Sequence, residues 1–231
     1  MSHCFNDKVF IHTVMISIYG TSHVSQESIE VIDQAFLEDP DVVALELDPP
    51  RLEALMFEGR GRDDGSVFIR LLERFQKYIG GKTGLMPGEE MLYAYNRGIQ
   101  ENLDVALVDR DIRVTVERLK KVRRKEKVKA FFSLLGGFLI PFGGDFDIGS
   151  IPEEEKIDRM VSELRHSFPE IYQVLMEERN RYICRSLVQL QEDNPSDDIA
   201  VFLGAAHCQP VSDLLRGEDV EVYRKGVLEE R

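Results

Sequence analysis

The sequence predicts an α/β fold in which a mostly parallel sheet is flanked by helices, with a helical insertion before the last core strand. Four short runs rich in Val, Ile, Leu and Ala lack strict alternation, which is typical of parallel strands covered on both faces. Stretches with helical spacing of apolar residues separate these runs. The resulting alternation of strands and helices is that of a parallel sheet with right-handed crossovers.

The predicted strands follow from these runs in chain order. The four core strands are VMISIY (14–19), DVVALEL (41–47), DVALVD (104–109) and IAVFLG (199–204), and VEVYRKG (220–226) predicts an edge strand.

The stretches between the strands predict the helices. SQESIEVIDQAFLED forms the first, with Ser25 as its expected N-cap and Ser28 as an alternative start. GEEMLYAYNRGIQEN predicts the second, and IRVTVERLKKVRRKEKVKAFFSLL predicts one long third helix. EEEKIDRMVSELRHSF and PEIYQVLMEERNRYICRSLVQLQ predict a helical pair that divides at Pro169. We expect a single domain over residues 1–231, with the helical insertion at about 120–190 and no linker.

Composition excludes several classes of function. The net charge of −13 argues against binding to a nucleic-acid backbone, which needs a basic face. Three cysteines without a CxxC pair give neither a disulfide framework nor a zinc-finger spacing, so a reducing compartment is expected. No secretory signal and no apolar window of 18 residues is present in this sequence. We therefore expect a soluble domain that is cytoplasmic by default.

One strongly basic run interrupts this acidic chain. RLKKVRRKEKVK, from Arg118 to Lys129, is most simply the solvated face of a helix. The alternative is a contact with an anionic membrane or a partner, because the apolar AFFSLLGGFLIPF follows at once. Gly136, Gly137 and Pro141 interrupt the stretch 131–142, for which we predict a buried or interfacial turn.

Polar side chains follow each core strand, and a parallel sheet brings the carboxyl ends of its strands to one edge. Two of these segments share the pattern Gly-x-x-His, after the first and the fourth strand. The complete set is His23 after the first strand, Glu46, Asp48 and Arg51 at and after the second, Asp109 and Arg110 after the third, and His207 after the fourth.

Two chemistries suit these residues. Two imidazoles and a carboxylate can bind a divalent metal ion and leave a position for water. Without a metal, one histidine could act as the general base, with Glu46 orienting it and an arginine stabilising an oxyanion. Glu46 stands in an apolar strand, so it must be paired or lie at the strand end. Cys208, next to His207, could be a nucleophile or a soft ligand, although nothing else in the pattern requires it.

The remaining charged residues leave a structural alternative open. Asp109 and Arg110 could belong to the site or form an ion pair that closes the sheet edge. Glu178 and Arg179, in EERNRY, could likewise belong to the site or to an exposed helical charge cluster.

Several motifs in order resemble the TraB/PrgY family. GTSHVSQESIEVIDQAFLEDPDVVALELDPPRLEAL is similar to the opening of that family, with its Gly-Thr-x-His and Glu-Leu-Asp-x-x-Arg patterns. GEEMLYAYNRGIQENLDVALVDRDIRVTVERL resembles its Gly-x-Glu-Met helix and Asp-Arg-Asp-Ile segment. FPEIYQVLMEERNRYI resembles its Glu-Arg-x-x-Tyr helix, and VFLGAAH its closing Gly-x-x-His. The resemblance extends from about residue 16 to residue 207.

The resemblance implies a group that also includes the TIKI proteases and GumN, and more distantly the erythromycin-esterase and ChaN-like proteins. In the TIKI type, two Gly-x-x-His motifs and an acidic residue hold a metal, and in the erythromycin-esterase type a similar set works without one. Carried over, the metal ligands are His23, His207 and Glu46, with Arg51 beside them. Together with the residues at the strand ends, the expected catalytic residues are Glu46, Arg51, Asp109 and Arg110. The expected substrate-binding residues are Glu90, Arg113, Glu178 and Arg179.

The function implied is a hydrolase, leaning towards a metal-dependent peptidase that acts on small peptides, as in pheromone shutdown. A peptide-binding module without catalysis and a metal-free esterase-like hydrolase are the alternatives. We expect Mn, Co or Zn as the cofactor and a small peptide as the ligand, with no nucleic acid as a partner. A homo-oligomer is compatible with this expectation. Full-length relatives are often membrane-anchored, which implies membrane association through a C-terminal region that this sequence does not contain.

Overall fold

A parallel sheet of five strands lies at the centre of the part of the chain that the computed structural model describes, namely residues 16–21, 26–56, 88–139, 154–218 and 222–225. The strand order is β3-β2-β4-β1-β5, and every pairing is parallel. This confirms the predicted fold class, including the edge strand. The strands are β1 (Ile16–Thr21), β2 (Val42–Leu45), β3 (Asp104–Leu107), β4 (Ile199–Gly204) and β5 (Val222–Lys225).

The register of the sheet places the carboxyl ends of β1, β2 and β4 close together at one edge. Leu45 at the end of β2 pairs with Phe202 in β4, and Thr21 at the end of β1 pairs with Gly204 at the end of β4. Because β4 lies between β1 and β2, the segments that follow these three strands are neighbours in space although they are distant in sequence.

Helices follow most of the strands, and those between β3 and β4 form the predicted helical insertion. Within the described ranges, no helix combines the length and the apolar character that crossing a bilayer requires. The helices are α1 (Gln26–Phe36), α2 (Pro49–Met56), α3 (Glu89–Gln100), α4 (Ile112–Lys121), α5 (Arg124–Leu139), α6 (Glu154–Ser167), α7 (Pro169–Tyr172), a π-helical turn (Gln173–Glu177), α8 (Glu178–Asp193) and α9 (Ala205–Gly217).

Separate apolar clusters cover the two faces of the sheet. On one face, α1 and α3 pack Ile32 and Met91 against Phe202. On the other face, Leu187 of α8 and Leu215 of α9 pack against β1 and β4. Strands covered on both faces have no polar side to alternate with, which explains their uninterrupted apolar sequences.

The long third helix predicted from 112 to 135 is wrong, because the structure has two helices there. Val122 adopts an extended backbone, with φ −55° and ψ 142°, and ends α4. Its side chain is buried with Ile171 and Val174, so packing against the following helices outweighs the local preference for continuing the helix. The helical pair divides at Pro169 as predicted, but its second member contains the π-helical turn.

The turn predicted at 131–142 is also wrong over the described residues, since α5 continues to Leu139 and contains Gly136 and Gly137. Glycine inside a helix costs about 1 kcal/mol relative to alanine, which weakens a helix without ending it. Residues 140–142, with Pro141, lie outside the described part. The predicted N-cap Ser25 and the start of the first predicted strand at 14–15 also lie outside it.

Candidate functional site

Glu46 lies directly after β2 at the carboxyl edge of the sheet and is only 2% exposed. Its backbone N–H donates to the Phe202 carbonyl (3.1 Å), which continues the pairing with β4 by one residue. Its Oε2 accepts the N–H of Gly204 at 2.7 Å, where β4 ends. The backbone of the neighbouring strand therefore fixes one oxygen of this carboxylate and leaves the other, Oε1, for side-chain partners.

Asp109 lies two residues after the end of β3, at the same edge of the sheet, and is also buried. Its backbone N–H donates to the Leu47 carbonyl at 3.1 Å, which holds the segment against the continuation of β2. Its Oδ1 accepts the N–H of Arg110 at 2.7 Å. Two buried carboxylates thus lie on adjacent strand ends, an arrangement that needs cationic partners.

Arg179, in the first turn of α8, supplies that positive charge. Its Nε and Nη2 donate to Oδ1 and Oδ2 of Asp109 at 3.1 and 2.8 Å, and Nη2 also donates to Glu46 Oε1. The guanidinium therefore grips one carboxylate bidentately and touches the other. Burial by itself lowers the pKa of Arg179, but the charges and hydrogen bonds of Glu46 and Asp109 outweigh this effect and raise it, so the side chain stays cationic.

The π-helical turn immediately before α8 contributes to this placement. The carbonyls of Val174 and Leu175, both inside the turn, accept N–H groups of Arg110 Nη2 (3.1 Å) and Arg179 Nη1 (3.3 Å). π-helical turns occur frequently at functional sites because they change the register of a helix by one residue. Here the turn connects Arg110 to the helical insertion and holds the side chain of Arg179 within it.

His207, in the first turn of α9, is buried beside the guanidinium of Arg179. Its Nδ1 lies 2.5 Å from Asn180 Oδ1, and its Nε2 lies 3.3 Å from Arg179 Nη1 and 3.5 Å from Glu46 Oε1. Because arginine only donates, Nε2 must accept, and Nδ1 must then carry the proton that Asn180 accepts. We therefore assign the Nδ1–H tautomer, with the Nε2 lone pair facing Glu46 and Arg179. Glu46, Asp109, Arg179 and His207 are called the edge network below.

Arg51 and Asp48 extend the edge network towards the surface. Arg51 Nη1 donates to Asp109 Oδ2 at 2.8 Å and to the Glu46 carbonyl at 3.4 Å, while 29% of its side chain remains exposed. Asp48 Oδ1 accepts the backbone N–H of Arg51 at 3.1 Å. Asp48 Oδ2 is buried without a hydrogen-bond partner in the described residues, and burial raises the pKa of this carboxyl group. Arg51 is thus a partly exposed cation above two buried acids.

A second group of ion pairs adjoins the edge network. Arg110 Nη1 donates to Glu178 Oε2 at 2.8 Å, and Arg110 Nε donates to Thr115 Oγ1 at 3.2 Å. Arg118 Nε donates to Glu178 Oε2 at 3.1 Å. The hydrogen bond from Arg118 is the main cause that lowers the pKa of Glu178, with Arg110 adding to it against the opposing effect of burial. This group lies between α4 and α8.

The structure brings most of the predicted site residues together. Glu46, Asp109 and His207 each contact Arg179. Arg51 joins the group through Asp109, and Arg110 and Glu178 are bonded to each other beside it.

Three predicted site residues are not part of these contacts or lie outside the described residues. Arg113 is an exposed residue of α4 that pairs with Asp111. Glu90 is buried in the first turn of α3, where its carboxylate accepts the N–H of Gly88 at 3.1 Å. His23 lies outside the described residues. The roles assigned to all the site residues from the sequence stay predictions.

Asn180 is the residue that the sequence analysis missed. It is buried and fixes the imidazole of His207, yet in the sequence it is one uncharged residue within a charged helical segment. The sequence signal that could have identified Asn180 was its position directly after Arg179, in the first turn of the same helix.

The edge network contains two atoms with the spacing of metal ligands. Ligands about 2.1 Å from a tetrahedral ion are about 3.4 Å apart, and His207 Nε2 and Glu46 Oε1 are separated by 3.5 Å. The hydrogen bond between Nδ1–H and Asn180 is of the kind that orients metal-binding histidines. No group of three ligands occurs among the described residues, and the third predicted ligand, His23, is not one of them. His207 and Glu46 therefore fit part of a metal site.

Comparison with known proteins agrees with the motifs that surround the edge network. An uncharacterized protein of Methanocaldococcus jannaschii is 29% identical over 226 residues, covering 90% of this chain and 56% of that protein. TraB domain-containing proteins of Bos taurus and Mus musculus are each 26% identical over 200 residues, covering 75% of this chain and 52% of each relative. The chain thus spans a little over half of the length of these relatives. A profile of the TraB/PrgY/gumN family matches residues 8–224, which include the whole edge network, so the chain belongs to that family.

Proposed function

We propose that this protein hydrolyses small peptides at the carboxyl edge of the sheet, using His207 and Glu46 together with a divalent metal ion. The observation that supports this most directly is the pair formed by His207 Nε2 and Glu46 Oε1, 3.5 Å apart in a buried setting. Because Nδ1 carries the proton, the lone pair of Nε2 lies on the side of the ring that faces Glu46 and Arg179. Peptide substrates are suggested by the peptide-pheromone shutdown and TIKI-type relatives that the sequence resembles.

In this proposal His207 and Glu46 hold Mn, Co or Zn, and His23 is the third ligand. A divalent ion supplies Lewis acidity at such a site. The other residues act through charge and orientation. Asn180 keeps the imidazole in one tautomer, and Arg179 offsets the negative charge of Glu46 and Asp109. In this proposal Arg51, the partly exposed cation of the group, binds the carboxylate of the peptide.

A metal-free hydrolase is the second candidate, and the position of Arg179 favours it. The guanidinium lies 3.3 Å from His207 Nε2 and bonds both carboxylates, so a positive charge already stands beside the two candidate ligand atoms. In this mechanism Nε2 accepts a proton from water, and Arg51 or Arg179 stabilises the negative charge that develops on the substrate oxygen. Both candidates use the same residues and differ in the need for a metal.

The test is a peptide-cleavage assay on purified protein, read by mass spectrometry after treatment with a chelator and after addition of Mn²⁺, Co²⁺ or Zn²⁺. His207→Ala and Glu46→Gln are the variants, and Gln209→Ala, an exposed change on the same helix, is the matched control. The proposal expects metal-dependent cleavage that both variants lose by at least about 100-fold and that the control retains.

Other outcomes separate the alternatives. Cleavage that persists in chelator and still requires His207 would favour the metal-free hydrolase. Tight peptide binding without cleavage under any ion would contradict both hydrolase proposals and identify a binding module.

A further inference from the structure

Helix α5 carries basic and apolar side chains together on its exposed side. Arg124, Lys125, Val128 and Phe132 fall within an arc of about 100°, because successive residues of a helix are about 100° apart. All four are exposed; Val128 is 53% and Phe132 64% exposed. Large apolar side chains at the centre of a basic surface lose water contact only when something covers them.

The opposite side of α5 is fixed to the rest of the protein. Glu126 is buried and its Oε1 accepts the backbone N–H of Ile171 at 2.8 Å. Ala130, one turn later, is buried in the cluster that contains Ile171 and Val174. The anchored side determines the orientation of the helix, so the basic and apolar arc faces outward.

The charge of this segment contrasts with that of the whole chain. Eight of the twelve residues from Arg118 to Lys129 are Lys or Arg and one is acidic, in a chain with a net charge of −13. Part of this charge is paired within the protein, as in the contacts of Arg118 with Glu178 and Arg123 with Glu170. Lys121, Arg124 and Lys125 have no carboxylate within ion-pair distance among the residues that the structure describes.

We propose that α5 docks on the surface of a bilayer that contains anionic lipids. Basic side chains pair with lipid phosphates while the apolar side chains of the same arc enter the headgroup boundary, as in interfacial amphipathic helices. A nucleic acid would use the basic residues but give Val128 and Phe132 nothing apolar to contact, and the net charge of −13 opposes it. A bilayer surface satisfies both kinds of side chain on this arc.

The proposal is tested by flotation of the purified chain with vesicles of phosphatidylcholine alone and with vesicles that also contain phosphatidylglycerol. The first variant is the double change Arg124→Glu with Lys125→Glu, and the second is Phe132→Ser. The control is Arg185→Glu with Arg216→Glu, which changes the net charge equally at exposed sites on α8 and α9. Circular dichroism and thermal unfolding verify that every variant remains folded.

We expect binding to the anionic vesicles only, weakened by added salt because screening shortens the range of the attraction. Each basic residue near an anionic surface strengthens binding about fivefold, so removing two should weaken it by at least about 25-fold. Phe132→Ser should weaken it about tenfold, and the control should bind as the unmodified protein does.

Three results would overturn the proposal. These are an absence of binding, equal binding to both kinds of vesicle, and a loss in the control as large as that in the α5 double variant. Dimerisation in solution that the α5 variants abolish, without vesicle binding, would assign the same arc to a second copy of the chain instead.

Discussion

Replacing Arg179 with methionine should destabilise the protein by about 3 kcal/mol at pH 7. Removing one partner of a buried ion pair typically costs about 3–5 kcal/mol, because the remaining charge keeps its desolvation penalty. Methionine retains much of the length of the side chain, so the change removes mainly the charge and the hydrogen bonds to Glu46 and Asp109.

The contacts that remain place the cost at the lower end of that range. Arg51 Nη1 still donates to Asp109 Oδ2 at 2.8 Å, and Gly204 still donates to Glu46 Oε2 at 2.7 Å. The side chain of Arg179 is 15% exposed, so some water can screen the two carboxylates when the guanidinium is absent.

The assay is equilibrium unfolding in urea, with the free energy of unfolding obtained by linear extrapolation. Arg181→Met is the matched control, because this exposed residue of the same helix makes a long 3.5 Å contact with Glu177 and no other ion pair among the described residues. Its loss should cost less than about 0.5 kcal/mol.

A cost below about 1 kcal/mol, or one equal to that of the control, would refute the inference that Arg179 compensates the buried carboxylates.

Three further predictions concern residues around the edge network. Burial raises the pKa of Asp48, so its ionised form destabilises the fold above the unfolded pKa of about 3.9; Asp48→Asn should raise the free energy of unfolding at pH 7, and the gain should vanish below about pH 4. The pKa of Glu178 is lowered, so it contributes stability above its unfolded pKa that is lost as the pH falls through the folded value; Glu178→Gln should therefore lower the urea midpoint at pH 7 and have little effect in acid. If the protein hydrolyses peptides, Asn180→Leu should lower activity roughly 10- to 100-fold and alter its pH profile by freeing His207, whereas Asn180→Asp, which keeps an acceptor, should recover part of it.

The sequence was sufficient to predict where the strands lie along the chain, but not their order in the sheet. Strands buried on both faces are apolar without interruption, so each run could be recognised locally. The position of β4 between β1 and β2 depends on pairings such as Leu45 with Phe202, which no local pattern specifies. The break at Val122 and the π-helical turn are decided by packing between helices, and helix propensity carries no information about that packing.

The candidate site could likewise be predicted only in part from the sequence. Carboxyl ends of parallel strands meet at one edge, so the common position of Glu46, Asp109 and His207 at this edge could be anticipated from the predicted strand ends. The sequence also required a partner for Glu46, but that partner, Arg179, is 133 residues away and comes from a helix rather than a strand end. The role of Asn180 depends on the rotation of α8 about its axis, and a shift of one residue in the π-helical turn would change it.

Two neighbouring dipeptides explain why the edge network and the helical insertion are connected. Asp109 and Arg110 follow β3, Glu178 and Arg179 begin α8, and the charges pair across the two segments: Asp109 with Arg179, and Arg110 with Glu178. Among the described residues, the charged side chains of each dipeptide thus pair with the other dipeptide. The two bridges differ in position, because only Arg179 also touches His207 and Glu46.

Because of this difference, changes at Arg179 and at Glu178 should affect stability and activity differently. A change at Arg179 alters both the docking of α8 and the surroundings of His207 Nε2. A change at Glu178 weakens the docking through Arg110 and Arg118 but leaves every contact of the edge network in place. If the edge network carries the reaction, a Glu178 variant should lose stability and keep its activity per folded molecule, while an Arg179 variant should lose both. Loss of activity in step with stability in both variants would mean that the bridges serve only to hold α8 against the sheet.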